Sequence, residues 1–410
     1  MVIFTFHITT SKLGYTVFEY HFKQLDLPAI HFIMKIISVE PIIVSQQLKE
    51  PFHFSQWEYQ SRTICLVKIT TDDGTYGWGE GYGPANLVKA GIEFFNQFIL
   101  EMDALDHEVV WQQMYLRSLD YARRGVLLAA LSAIDIALWD IKGKHFGLPV
   151  STLLGGRKNE FVKPYATGLY FSNGGDLKEK LIQEALSYKE QGFKGIKMKV
   201  GLGIAKDVEY TTAVKKAIGD DVELMIDSNH AYSLKEALQL CHKLKDLDIS
   251  WFEEPVSPEH YDSYRQLREK TNIPIAGGEC EYLRHGFLQL FQNQSVDIAQ
   301  PDICAAGGIT EVKRIAAMAN TFGVELVPHS WGTGVALHAA MHLISNLDAN
   351  PGRMYQSAPW LELDRTENAL RDVLTEPLII PQDGMLKVPE KPGLGVDINE
   401  DALAEFRIDN

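Results

Sequence analysis

Residues 223–230 read ELMIDSNH, residues 249–255 read ISWFEEP and residues 273–279 read IPIAGGE. Each is a short apolar run with the look of a buried strand, and each closes on an acid: Asp227, Glu253 and Glu279. The acids recur at a spacing of about 26 residues, roughly one strand–loop–helix unit of a (β/α) barrel. Side chains at the carboxyl ends of neighbouring barrel strands converge on one mouth. Three carboxylates gathered there repel one another unless a hard divalent cation neutralises them. Oxygen-only ligands at this wide spacing suit Mg²⁺ or Mn²⁺ rather than zinc. The stretch therefore predicts a metal enzyme and the place of its active site.

The flanking sequence extends the pattern. From about residue 161, strand-like runs alternate with amphipathic helical ones. The strands are KPYATGL (163–169), GIKMKV (195–200), VELMID (222–227), ISWFEE (249–254), IPIAGG (273–278), VDIAQP (296–301), VELVPH (324–329) and RMYQS (353–357). Helical stretches such as DVEYTTAVKKAIG (207–219) and SLKEALQLCHKLKD (233–246) separate them. Eight strands with seven intervening helices predict an α/β fold, a (β/α)7β barrel over 161–365. Residues 34–160 read as strands followed by helices, an α+β capping domain. Its Asp73-Gly74 pair marks a hairpin, and its last helix, dense in Ala and Leu, stops at Gly147-Leu148-Pro149. The tail, 366–410, is expected to return to the cap. Residues 1–33 lack a basic leader and a clear cleavage site, so they make a poor signal peptide. Because MKIISVEPIIV opens a clean strand, Met34 is the expected native start.

Composition bounds the partners. The 410 residues carry a formal net charge of −15, which argues against nucleic acid or an anionic membrane as the main partner. An anionic small substrate stays possible, because a metal and local lysines can reverse the field inside one pocket. No run of 18 apolar residues occurs, so no membrane span is expected. The four cysteines, Cys65, Cys241, Cys280 and Cys304, form no C-x-x-C pair, which suits a reducing, cytoplasmic setting. Cys280 and Cys304 read as small core residues.

Chemistry-bearing residues gather at the same strand ends. Lys197 and Lys199 alternate by two in GIKMK, so both face the barrel interior, where burial disfavours a charge that serves no site. Asp302 ends strand six and His329 ends strand seven, close enough for an Asp–His bond that fixes the imidazole tautomer. Glu362, in PWLELD, follows strand eight and is a candidate donor to a developing oxyanion. Asn229 faces the same way as Asp227, and His230 faces the other side. Together these groups suit removal of a proton α to a carboxylate.

The ordered set K-x-K, D-x-N, E-E-P, G-G-E, P-D and P-H-x-W-G, one per barrel strand from Met34 onward, resembles the enolase superfamily in its mandelate racemase subgroup. The resemblance implies Mg²⁺, or Mn²⁺ in its place, on Asp227, Glu253 and Glu279, with Glu254 behind them. It implies Lys199 as one acid/base and His329, oriented by Asp302, as the other. Lys197 would hold the substrate carboxylate and Glu362 the enediolate. IDIALWDIKGKHFG, YATGLY, MIDSNHAYS, DIAQPDICAAGGITE, VPHSWGTGV and DRTENALR look like the sugar-acid cycloisomerases of the subgroup, which act on galactarolactone or 3,6-anhydro-L-galactonate. That likeness implies opening of 3,6-anhydro-L-galactonate to 2-keto-3-deoxy-L-galactonate, in a homo-oligomer. The cap stretch QLKEPFHFSQWEYQ (47–60) is rich in aromatics and lacks arginine, which favours a mono-acid. Asn229, His53, Trp57 and Tyr82 are the expected substrate contacts, although the cap aromatics equally suit packing of cap on barrel. A galactarolactone cycloisomerase, a galactonate-type dehydratase and a racemase share the same site. A non-catalytic sugar binder would need no bases on both faces.

Overall fold

The computed structural model describes residues 5–10, 16–21, 33–349, 352, 354–381 and 383–408. The chain divides into two compact units, 1–33 and 34–410. In the first, β1 (Thr5–Thr10) pairs antiparallel with β2 (Thr16–His21). Residues 22–32, which lead to the expected start at Met34, lie outside the described residues.

The second unit opens with an antiparallel sheet of β3 (Ile36–His53), β4 (Glu58–Thr71) and β5 (Tyr76–Gly81), in that order. The Asp73-Gly74 turn lies where its sequence put it. Gly74 takes φ 86°, and the Asp73 carboxylate accepts hydrogen bonds from Thr71 Oγ1 and the Thr75 N–H. The aromatic stretch 47–60 is not a loop. β3 and β4 pair as far as His53 and Glu58, with a register shift between Gln47 and Phe52, and a turn follows at 54–57. Leu48 and Phe52 bury themselves against Tyr170, which gives the far end of the ribbon an apolar anchor.

Helices α1 (Ala85–Ile99), α2 (His107–Ser118), α3 (Val126–Phe146) and α4 (Val150–Leu153) follow. α3 is apolar almost all round, as a helix covered on every side must be. It touches β5 at backbone level. A Cβ on Gly79 would come within 1.9 Å of the Ala133 carbonyl oxygen, and one on Gly77 within 2.2 Å of that of Ala137. The alternating glycines of YGWGEG thus match alanines one helical turn apart.

The barrel then alternates β6 (Phe161–Gly168), α5 (Leu177–Glu190), β7 (Gly195–Lys199), α6 (Ile204–Ile218), β8 (Glu223–Asp227), α7 (Leu234–Leu244) and β9 (Ile249–Glu253). It continues through α8 (Tyr261–Lys270), β10 (Ile275–Gly277), α9 (Leu283–Gln292), β11 (Ile298–Ala299), α10 (Gly308–Phe322), β12 (Glu325–Leu326), α11 (Gly334–Ile344) and β13 (Trp360–Asp364). Parallel pairing runs in the order β12-β11-β10-β9-β8-β7-β6-β13. This is the expected (β/α)7β architecture behind an α+β cap. The eighth strand is a correction. Arg353 lies outside the described residues, Met354 and Tyr355 are exposed, and the strand is WLELD, so Glu362 sits within it. A barrel strand needs both faces covered, and WLELD is buried at every position where RMYQS is not.

Strand alternation sorts the side chains. Ile196, Met198, Leu224 and Ile226 point outward into the core beneath the helices. Tyr165, Met225, Trp251, Ala276, Ile298, Val327 and Trp360 form a separate apolar cluster that plugs the barrel interior. Polar residues of the same parity lie beyond that plug. After β13 come α12 (Ala369–Asp372), β14 (Leu386–Lys387), which pairs antiparallel with β6, and α13 (Glu400–Phe406). The Ile408 N–H then donates to the Ile43 carbonyl of β3. Among the described residues no helix is long and apolar enough to cross a membrane.

Candidate active site

Asp227 and Glu253 are the last residues of β8 and β9, and Glu279 lies two residues past β10. Ligand atoms of the three lie within 4.8 Å of one another. Side chains this close could hold one divalent cation between them. The donor set is all oxygen and anionic, and it suits a hard divalent cation. Gln300 Nε2 and Trp251 Nε1 donate to Glu253 Oε2 at 2.5 and 3.2 Å, and the Asn229 N–H donates to Asp227 Oδ1 at 2.9 Å. These bonds orient the carboxylates from outside.

Both lysines of β7 are buried and point inward. Lys199 Nζ donates to Asp227 Oδ2 at 2.5 Å and to Asn229 Oδ1 at 2.8 Å. Lys197 Nζ bonds Glu253, pairs with Glu362 Oε1 at 2.7 Å and lies 3.7 Å from Asp227 Oδ2. Burial disfavours the charged Asp227, but Lys199 and Lys197 outweigh it and hold the carboxyl down at about 2. Burial works against the charged Glu362 too, and Lys197 and His329 hold it down at about 2. Burial, with little relief beyond Lys197, pushes Glu253 up to about 8 among its acidic neighbours. Burial lowers Lys199, and the facing Asp227 more than reverses this.

His329, three residues past β12, gives Nδ1 to Asp302 Oδ2 at 2.6 Å. Its Nε2 lies 3.6 Å from Glu279 Oε2, and the Tyr82 ring packs against it edge to face with the ring centres 5.3 Å apart. Desolvation works against the imidazolium, but Glu279, Glu362 and Asp302 raise it to about 10. Asp302 is itself fixed by the Cys304 N–H at 2.6 Å. Glu362 accepts from Thr167 Oγ1 at 2.6 Å and the Ser330 N–H at 2.9 Å.

Lys199, Asn229, Glu279, His329, Glu362 and Tyr82 line one cavity, and Phe54, Tyr59, Tyr170 and Trp331 close its far side. Lys197 is fully buried and does not line it. Two of the expected contacts, His53 and Trp57, do not line this cavity. Trp57 is 63% exposed, and His53 points beside Phe171 instead. The ribbon turn at 54–57 explains this, since it swings Trp57 outward and leaves Phe54 and Tyr59 on the inner face. Sequence reading missed Tyr170, Trp331 and Gln300, although Gln300 shares the parity of Asp302. It also missed Glu80 of β5, whose carboxylate takes the Thr333 N–H at 3.1 Å and its hydroxyl at 2.5 Å, so a cap residue seals the start of α11. Backbone strain marks the same floor, with Asn229, His230 and Glu254 at φ 42°, 63° and 40°. His230 pairs with Glu254 at 2.9 Å, behind the three clustered acids.

Residues 180–402 match the family model of the enolase C-terminal domain-like fold, and residues 37–155 match the mandelate racemase / muconate lactonizing enzyme N-terminal domain. The solved 3,6-anhydro-D-galactonate cycloisomerase from Zobellia galactanivorans is 58% identical, with a TM-score of 0.84, over 91% of this chain and 99% of that one. The D-galactarolactone cycloisomerase of Agrobacterium fabrum is 42% identical over 376 residues, 92% of this chain and 99% of its own. A racemase from Streptomyces coelicolor A3(2) solved with bound magnesium is 25% identical, with a TM-score of 0.81, over 91% of this chain and 100% of that one. With both halves matched and the cavity built at the barrel mouth, the chain belongs to the enolase superfamily, in the mandelate racemase / muconate lactonizing enzyme family, and is an enzyme.

Proposed function

We propose that this protein is a Mg²⁺-dependent cycloisomerase that opens the 3,6-anhydro bridge of 3,6-anhydrogalactonate to give 2-keto-3-deoxygalactonate. One observation carries the reading. Lys199, from the second barrel strand, and His329, after the seventh and held from behind by Asp302 after the sixth, line one cavity beside three clustered carboxylates. Two proton-transfer groups on different walls suit a reaction that takes a proton from one carbon and assists a leaving oxygen on the next.

The C2 hydrogen lies α to the carboxylate, and the ring oxygen sits on C3. Loss of the C2 proton builds negative charge on the carboxylate. The bridge C3–O bond then breaks, C6 gains a free hydroxyl, and the C2–C3 enol rearranges to the keto acid without change of formula. A divalent cation on Asp227, Glu253 and Glu279 would supply positive charge where that negative charge develops. Lys199 and His329 divide the proton transfers. Asp302 holds the imidazole so that Nε2 faces the cavity. Lys197, one layer below Lys199, adds positive charge beneath the substrate carboxylate, and Asn229 offers it a polar contact.

The sequence reading named the L-acid. The relative at 58% identity is named for the D-acid, and we take the D-series as the first substrate to test. The similarity to a galactarolactone enzyme supports a second reading, in which ring opening releases a second carboxylate. The cavity lining holds one lysine, one histidine and no arginine, which favours the mono-acid. Keto-acid formation should be assayed with the D- and L-anhydrogalactonates side by side in the presence of Mg²⁺. The reading expects a 2-keto acid from the D-acid in preference. It fails if neither enantiomer reacts while galactarolactone or galactonate does.

A further inference from the structure

Behind the aromatic wall of the cavity lies a buried cation that none of the proton-transfer steps uses. Arg62, on β4 of the cap, is 2% exposed. Its guanidinium carbon stands 3.6 Å from the centre of the Trp331 ring and 5.1 Å from that of Phe52. Nη2 donates to Asp364 Oδ2 at 2.7 Å, on the last residue of β13, and to Thr366 Oγ1. Nε and Nη1 make no hydrogen bond among the described residues.

This is a costly way to fill space, since a buried guanidinium with unpaired N–H groups is less stable than an aliphatic side chain of similar size. Its plane nevertheless does what an aliphatic chain cannot. It sits over the face of an indole and is itself pinned to the barrel by a carboxylate. Trp331 in turn packs 4.8 Å from Tyr59, and Phe52 packs 4.8 Å from Tyr170. Trp331, Tyr59 and Tyr170 all line the cavity. One cation thus ties the cap ribbon, the loop after β12 and the end of β13 into a single surface facing Lys199 and His329.

We propose that Arg62 is a positioning residue. It acts through Trp331, fixing the indole as a wall that holds the sugar ring while the proton-transfer groups reach C2. The inference rests on the reading of this cavity as the sugar-acid site. The test uses Arg62→Met and Arg62→Lys. Lysine keeps a charge beside Asp364 but presents no plane. Positioning predicts that both variants raise KM by roughly tenfold or more while kcat changes less than about threefold, since a wall that meets the sugar ring equally in the ground and transition states contributes to binding and not to turnover. It also predicts that lysine restores the melting temperature without restoring KM. Protein labelled with 5-fluorotryptophan gives a substrate-free readout, the Trp331 line being assigned among the seven tryptophans by its absence in Trp331→Phe. That line should shift or broaden in both Arg62 variants. An Arg62→Lys protein with wild-type KM and an unmoved Trp331 line would overturn the proposal and leave Arg62 as a counter-charge to Asp364. If Arg62→Met fails to fold, the lysine variant decides alone. If the wild type turns over no sugar acid, the functional reading falls, and the fluorine line still decides this one.

Discussion

At the scale of single residues, the site rests on parity and charge. Lys199→Ala and His329→Ala should each lower kcat by at least about 10²-fold, the ordinary worth of a placed acid or base, with melting temperatures near wild type. Either variant at full activity would break the division of proton transfers. Asp302→Asn should leave His329 in place but lose the charge 2.6 Å from Nδ1, and should cost a smaller factor in kcat. Asp227→Asn removes one anionic oxygen from the cluster, and Mg²⁺ affinity by calorimetry should fall at least about tenfold. Unchanged affinity would place the cation elsewhere. The lysines, the acids and the His–Asp pair were legible because each stands at a strand end with the inward parity. Trp331 and Tyr170 were not, because an aromatic residue in a loop carries no sign of which cavity it faces. Trp57 misled for the same reason. Only the turn at 54–57 decides which ribbon aromatics point inward.

Among the elements, long periodic segments were readable and short ones were not. α3 ends at Gly147, with φ 65°, where its sequence stops, and the Asp73-Gly74 hairpin forms as expected. β11 and β12 have two residues each, too short for alternation to speak, and motif content alone located them. The eighth strand was placed too early, because RMYQS has strand-like residues but no burial. A missed signal was the glycine alternation of YGWGEG, which encodes contact with α3. Gly79→Ala should therefore destabilise the fold by about 3 kcal/mol, a severe overpacking value, because the new methyl meets a helix carbonyl and not a flexible side chain. Chemical denaturation would measure it. A loss under about 1 kcal/mol would mean that β5 and α3 can part more easily than their packing implies.

For the whole molecule, stability and chemistry draw on different groups. His342 of α11 is fully buried. The Ser151 N–H donates to its Nδ1 at 3.2 Å, so Nε2 carries the proton given to the Leu394 carbonyl at 3.0 Å. Burial lowers this imidazole to about 4. Its unfolded counterpart titrates near 6.5, so between those values the unfolded chain binds the extra proton. The stability held by neutral His342 is therefore present above pH 6.5 and lost as pH falls toward 4, roughly 3 kcal/mol in all. His342→Leu should remove about one proton from the slope of unfolding free energy against pH over that window. An unchanged slope would contradict this reading. The cavity groups are a separate system, joined to the cap by Glu80 at α11 and Arg62 at β13. Those two contacts tie the cap to the charged groups of the barrel mouth. The most direct test of the central claim is proton NMR in D₂O, with purified protein, Mg²⁺ and 3,6-anhydro-D-galactonate. The account predicts that the C2 proton is lost as 2-keto-3-deoxygalactonate appears carrying deuterium at C3. Retention of the C2 proton by this acid, its L-enantiomer, galactarolactone and galactonate alike, with Mg²⁺ bound, would contradict it.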